Sequence, residues 1–379
     1  MYDLVLKEGL VVDGTRGNSY EGSICIKDGK ITAITNMDDL EAMEIIDCKG
    51  KVISPGFIDL HQHSDASPLN LIEPKSMIHQ GVTSEISGNC GISLFPGNDE
   101  SRDEIRKFLA RTVEIVPEDE DLIVDDLFDY IRIANEHSFP VNIGTLIGHG
   151  TLRGSVMGFD DRKARPEEME VMKSLLDQEM KNGAFGMSLG LIYPPSSYGD
   201  IDEFVELSKV IKDNNGMLTV HMRNESEKVV ESLDEMIEVA EKSGVHLHIS
   251  HLKIIGKANW GNSQILLDNI EAARQRGCTI TCDQYPYQAT ATGLAALVPG
   301  WAQDGGNEKM LERLKTMDPT LLNDIYLEMD RRGGPSCVGI SSTLGHMPEL
   351  DGMNIDEIAK KFNLTPEETV AKVLIDCEG

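Results

Sequence analysis

From residue 56 onward the chain alternates short apolar β-type runs with helical stretches, and this repeat limits the fold more than any other feature. Seven runs recur: FIDLHQH (57–63), VTSEISGN (82–89), VNIGTLIGH (141–149), AFGMSLGLIY (184–193), MLTVHMR (217–223), VHLHISHLK (245–253) and TITCDQYPY (279–287). Between them lie helical patterns such as PEEMEVMKSLLDQEMK, with Pro166 suited to a first helical turn. Gly183, Gly216, Gly244 and Gly277 stand where helices give way to the next strand, positions suited to a left-handed C-terminal cap. Strand–helix–strand repetition on this scale demands a parallel sheet with crossover helices. Seven strands point to an α/β, TIM-like (β/α)8 barrel short of one strand rather than to an open sheet. No G-x-G-x-x-G follows the first strand, which disfavours a dinucleotide-binding fold.

Two flanking segments read differently. Residues 1–54 are short strand candidates separated by turns such as Asp28-Gly29 and Lys49-Gly50, a small β-module. Residues 55–379 carry the barrel. Its last part, 288–378, is less regular: a Gly/Ala/Thr-rich loop, helices near 308–331, a strand candidate over 337–342 and helices over 354–376.

Charge excludes some partners. With 35 Lys+Arg against 64 Asp+Glu the net charge is −29, so nucleic acid and anionic membrane surfaces are not expected to bind. No apolar run approaches the length that spans a bilayer, and the N-terminus lacks the basic start and apolar core of a signal peptide. The 7 cysteines are odd in number and have no framework spacing. Free thiols in a reducing, cytoplasmic compartment are the expectation.

Ionisable residues in parallel strands need a reason, and here they gather at C-terminal strand ends, where barrel enzymes keep their chemistry. The first run ends His61-Gln62-His63; period-2 alternation turns both imidazoles into one mouth, a good ligand pair for Zn²⁺. The second leads to Gly88-Asn89-Cys90-Gly91. A lone buried cysteine is ordinarily inert packing, so Cys90 gains weight only from its neighbours. The fifth ends His221-Met222-Arg223 and the sixth His251-Leu252-Lys253, each pairing a ligand with a cation suited to a carboxylate. By the same parity His246 and His248 should face the surrounding helices. His149, at the end of the third run, could lie near the mouth; Tyr193, Tyr285 and Tyr287 could wall it. Together these residues make a hydrolytic metal site the leading reading.

The motifs PGFIDLHQHSD, TSEISGNCGIS, GAFGMSLGLIYPP, VHMRNE, ISHLKIIGKANWG and CDQYPYQATATGL, in that order, resemble the amidohydrolase superfamily and within it the N-acyl-D-amino-acid deacylase (D-aminoacylase) family. The resemblance implies a zinc-bearing (β/α)8 barrel with a small β-sandwich, of which residues 1–54 would be the N-terminal half. It implies a tightly held zinc on Cys90, His221 and His251. A second, weaker site would use His61, His63 and a bridging Cys90. Tyr193, Lys253 and Tyr285 would contact the substrate carboxylate, with Arg223 as a further candidate. Cyclic amidohydrolases bridge two metals with a carboxylated lysine on strand four; the run AFGMSLGLIY has none.

The expected activity is therefore zinc-dependent hydrolysis of the linear amide of N-acyl-D-amino acids. The alternatives are a dihydroorotase- or hydantoinase-like enzyme acting on cyclic amides, and a non-catalytic scaffold, which would have no need of five metal-type residues. The family's general base is an aspartate in a Gly-Ser-Asp-Gly segment ending strand eight, and no such segment occurs in these 379 residues. The sequence thus reads as stopping before strand eight, with that aspartate beyond Gly379.

Overall fold

A computed structural model describes residues 1–37, 39–69, 75–97, 105, 108–109, 124–256 and 259–379. Lys257 and Ala258 of the segment ISHLKIIGKANWG lie outside the described residues. The chain divides into two units, Met1–Ile58 with Ser76–Ser84, and Asp59–Lys75 with Glu85–Gly379.

The first unit is built on β1 (Tyr2–Val11), which pairs antiparallel with β2 (Tyr20–Lys27) and parallel with β4 (Ala42–Asp47) and β5 (Val52–Ile53). β2 returns into β3 (Lys30–Thr35) through Asp28-Gly29, whose φ angles of 52° and 68° make the two-residue turn that matches strand twist. Val5, Val11, Ile24, Cys25 and Cys48 are among its buried side chains.

Each of the seven runs carries a strand. The first two give β6 (Phe57–Asp59) and β7 (Val82–Ser87); the third splits at Leu146 into β8 (Asn142–Thr145) and β9 (Ile147–Gly148). Then come β10 (Gly186–Gly190), β11 (Met217–His221), β12 (His246–Ile249) and β13 (Ile280–Cys282), all parallel in the order β13-β12-β11-β10-β9. The sheet extends toward the earlier strands through Phe185 N–H to Thr145 C=O (2.9 Å) and Leu146 N–H to Ser87 C=O (3.0 Å). Among the described residues the strands do not close into a hydrogen-bonded ring, and no strand follows β13.

Crossover helices cover one face: α1 (Pro166–Asn182), α2 (Ile201–Asp213), α3 (Val229–Ser243) and α4 (Ser263–Gln275). Met187, Leu218, Leu247 and Ile280 on the strands share one buried cluster with Leu176, Phe204, Leu233 and Ile270 on these helices. Gly183 and Gly244 cap α1 and α3 in left-handed geometry as expected. After α2 the left-handed position falls on Asn215 (φ 58°), one residue before Gly216, because an Asn tolerates it too.

The C-terminal part packs α5 (Gly306–Lys315), α6 (Pro319–Arg331), α7 (Ile355–Phe362) and α8 (Pro366–Asp376) around a second apolar cluster that includes Leu314, Ile325, Ile358 and Val370. The strand expected over 337–342 is absent. Pro335–Cys337 forms a 3₁₀ turn, and only one bridge forms, Gly339 to Asn354. Asn354 is the N-cap of α7, accepting from Glu357 N–H, so its chain turns into a helix and the ladder cannot continue.

Candidate metal centre

Parallel register sorts the strand side chains into two faces. Ser188, Thr219, His248 and Thr281 are aligned across four strands and lie on the face opposite the helix-packed row. His221, two residues after Thr219, ends β11 on that same polar face, beside Gly190. Gly190 has to be a glycine: a Cβ there would lie 1.9 Å from the Cys90 carbonyl oxygen. The Gly88–Gly91 turn presses into this space, Cys90 itself at φ 54°, and is pinned by Gly91 N–H to Ser188 Oγ (2.9 Å) and Gly88 N–H to Asp65 Oδ1 (2.8 Å).

Cys90 Sγ is the meeting point. It lies 3.4 Å from His61 Nε2 and 3.7 Å from His251 Nε2, and the three ligand atoms are mutually within 4.8 Å. His221, Glu225 and His251 form a second such group, with His221 and His251 ring centroids 4.4 Å apart. The His63 ring centroid is 5.5 Å from that of His61, although His63 is in neither group of mutually close atoms. A cleft of ≈ 510 Å³ opens onto Cys90, His63 and Tyr193.

The groups around the site are strongly perturbed. Loss of hydration of its ring among the neighbouring side chains pushes His63 down to about 4, with His61 and His251 adding to the effect. Burial likewise drives His221 well below the ordinary imidazole value and lowers His251. Burial also raises the Cys90 thiol, and the Glu225 charge raises it further. Burial opposes ionisation of Glu225, but the neighbouring His221, His251 and Lys253 outweigh it and bring the carboxyl down to about 2. Neutral imidazoles are the form a metal binds, and a bound cation is what converts a buried thiol into a thiolate ligand.

These residues fit zinc. Nδ1 and Nε2 of His221 are both buried without a hydrogen-bond partner, a situation native interiors avoid unless a ligand completes it. One thiol with several imidazoles is a donor set that suits Zn²⁺.

Two acids that sequence reasoning misses complete the cluster. Glu225 lies four residues past His221; its Oε1 is 3.0 Å from His251 Nδ1 and 2.6 Å from Lys253 Nζ. Asp283 follows β13; its Oδ2 is 3.1 Å from His61 Nδ1 and 3.0 Å from His248 Nε2, and its Oδ1 accepts from His251 N–H. Asp283 carries the same signal that selects the histidines, since it too ends a strand.

The other expected residues fall into two sets. Lys253 joins the site, its ammonium 5.8 Å from the Tyr285 ring centroid. Tyr285 stacks edge-on to His251 at 6.5 Å and Tyr193 to His221 at 5.2 Å, the Tyr193 hydroxyl sharing a hydrogen bond with Thr292 Oγ1 (2.6 Å). Arg223 does not share the His221 face: it binds Glu235 of α3 and the carbonyls of Ser197 and Gly199, and it lines a separate groove with Asp200 and Asp202. The extended strand ends at His221, so two-residue parity no longer holds at Arg223. His248 does not face the helices either. β12 ends at Ile249 and His251 has φ 39°, so the kink reverses the parity relation between His248 and His251. His149 is buried away from the cluster, bonded to Ser196 Oγ (2.6 Å) and Glu203 Oε1 (2.8 Å).

The sequence matches the amidohydrolase family profile over residues 44–324. It is 33% identical to the D-aminoacylase of Alcaligenes xylosoxydans xylosoxydans over 298 residues, 77% of this chain and 59% of that protein. It is 32% identical to the N-acyl-D-aspartate deacylase of the same organism, over 77% of this chain and 57% of the relative. The chain thus spans less than two thirds of the length of these curated relatives. The fold resembles the crystal structure of N-acyl-D-glutamate deacylase from Bordetella bronchiseptica, complexed with zinc and a phosphonate inhibitor, with a TM-score of 0.80, 26% identity, and coverage of 98% of this chain and 70% of that one. By the match over residues 44–324, which takes in the cysteine-centred cluster, the chain belongs to the amidohydrolase family.

Proposed function

We propose that this chain carries the metal centre of a zinc-dependent hydrolase that cleaves the linear amide bond of N-acyl-D-amino acids, releasing a carboxylate and the free D-amino acid. The observation that carries this reading is Cys90 at the focus of His61 and His251, beside a buried His221 with no hydrogen bond on either nitrogen. Cys90, His221 and His251 would hold one zinc tightly; His61 and His63, with Cys90 shared, would hold a second more weakly. The absence of a lysine in Gly186–Gly190 supports a cysteine-bridged centre over the lysine-bridged centre of cyclic amidohydrolases.

Zinc, when bound, polarises the acyl carbonyl and lowers the pKa of the attacking water to about 7. The chain's own residues position the substrate. Lys253, held by Glu225, offers its ammonium to the α-carboxylate, with the Tyr285 and Tyr193 rings flanking the same face. Fixing the carboxylate fixes which face of the α-carbon is presented, and this is the basis for selecting the D-isomer. Arg223 has no part in this reading, because it is bound to Glu235 and lines a separate groove away from the cluster.

The test is hydrolysis of N-acetyl-D-amino acids against hydantoins and dihydroorotate, with zinc measured on the same protein. Turnover of the linear D-substrates, lost together with zinc in His251→Ala, is expected. An active, zinc-loaded His251→Ala variant, or turnover of the cyclic substrates alone, would overturn it.

A further inference from the structure

His61 and His251 are held in the same way beside Cys90, their ring centroids 5.0 Å apart. Each turns Nε2 toward the sulfur, at 3.4 Å and 3.7 Å, and each presents Nδ1 to a carboxylate, Asp283 at 3.1 Å and Glu225 at 3.0 Å. Neither carboxylate is left to swing. Asp283 is fixed by His248 Nε2, whose Nδ1 is bonded to Thr281 Oγ1 (2.8 Å), and by the His251 main-chain N–H. Glu225 is fixed by Lys253 Nζ at 2.6 Å.

A neutral imidazole has one N–H, and the nitrogen that bears it cannot bind a metal. An ionised carboxylate at Nδ1 only accepts, so it keeps the proton there and leaves the Nε2 lone pair free. His251 makes this choice consequential, because Lys253 Nζ also lies 2.9 Å from Nδ1. Without Glu225, the ammonium would donate to Nδ1 and move the ring proton to Nε2, facing the sulfur. His221 makes no hydrogen bond on either nitrogen, its Nε2 lying 3.7 Å from Glu225 Oε2, so a carboxylate at hydrogen-bond distance from Nδ1 is a feature of the two rings that face the cysteine sulfur.

We infer that Asp283 and Glu225 are positioning residues that set the tautomers of His61 and His251, so that both present Nε2 to a metal bound at Cys90. This inference rests on the proposed zinc reading of the site. Asp283 acts on the His61 side and Glu225 on the His251 side, so their removal should weaken different metals.

The test uses the full 379-residue chain and zinc affinity read by chelator competition. Removing the carboxylate partner of a metal-ligating histidine typically changes affinity by about 10–100-fold. Glu225→Gln should weaken the tighter zinc by that factor. Asp283→Asn should weaken chiefly the weaker one. The cobalt-substituted protein should lose thiolate-to-metal absorption in the same order. Zinc affinities within twofold of the parent in both variants would overturn the inference. Should either variant fail to fold, ¹⁵N-histidine spectra of the zinc-loaded parent still decide: His61 and His251 must carry the proton on Nδ1, and a proton on Nε2 refutes it. If the parent binds no zinc at all, the functional reading fails and takes this inference with it; normal parent binding with indifferent variants overturns the inference alone.

Discussion

Asp283 Oδ2 lies 3.1 Å from His61 Nδ1, joining the end of the seventh strand run to the end of the first. No backbone ladder links these runs among the described residues, so a side-chain contact does what a closed ring of strands would do by hydrogen bonding. Burial opposes ionisation of Asp283, but hydrogen bonds from His248 and His61 overcome it and hold the carboxyl well below its ordinary range. The strand ends therefore converge through the same polar groups that form the candidate centre.

The buried His221, 3.7 Å from Glu225 but without a hydrogen bond on either nitrogen, separates stability from binding. An unsatisfied buried polar group costs about 1–3 kcal/mol. His221→Leu should therefore unfold no earlier than the parent when both are metal-free, yet bind zinc far more weakly. Thermal melts with and without zinc check both halves; an unchanged zinc affinity would remove His221 from the ligand set.

Gly190 tests the backbone placement of Cys90. Its missing Cβ is replaced by the Cys90 carbonyl, whereas a Cβ on Gly300 would meet nothing within 4 Å. Gly190→Ala should destabilise by about 1–3 kcal/mol through overpacking and displace the thiol, lowering zinc affinity as well. Gly300→Ala should do neither, as denaturant melts and metal titrations would register.

Lys253→Ala should raise KM for carboxylate-bearing substrates by about tenfold or more, the loss of a charge-assisted hydrogen bond of about 1.5–3 kcal/mol. Steady-state kinetics on N-acetyl-D-amino acids against their α-amides is the check. The α-amides should be affected much less.

The buried triad of Glu203, His149 and Arg153 is structural. Glu203 accepts from Arg153 Nε at 3.1 Å and bonds His149 at 2.8 Å, all three fully or nearly buried. Glu203→Ala leaves a buried guanidinium unpaired and should cost about 3–5 kcal/mol. Zinc affinity per folded molecule should not change.

Glu168 sets part of the acid limb of stability. Hydrogen bonds from Arg162 lead the causes that hold its carboxyl far below 4.5, with Arg165 adding and burial opposing. A depressed folded-state pKa adds stability that is fully present above the unfolded value and lost as pH falls through the folded one. Glu168→Gln should therefore be less stable than the parent at neutral pH, and the two should begin to converge once the pH drops below 4.5, the ordinary glutamate value. Parallel offset curves down to the lowest pH would contradict this.

Strand–helix alternation and its glycine punctuation were sufficient to locate all seven strand runs and the helices between them, because apolar period is a local property of the chain. Residue type and strand-end position were also enough to select His61, Cys90, His221 and His251, since few chemistries place imidazoles and a thiol there. Parity fails at Arg223 and His248 because it holds only while the backbone stays extended, and β11 and β12 end too early for it to apply. The strand expected at 337–342 does not form because Asn354, its one bridging partner, caps a helix. That cap depends on Glu357 and the helical residues beyond it, not on the 337–342 run. Asp283 and Glu225 acquire meaning only from neighbours far along the chain, 222 residues away in the case of Asp283 and His61. Local pattern was therefore enough for the seven strand runs and for the side-chain types that can bind a metal, but not for the 337–342 segment. Which nitrogen of His61 and of His251 faces the sulfur depends on three-dimensional neighbours, because hydrogen-bond partners are chosen by distance in space.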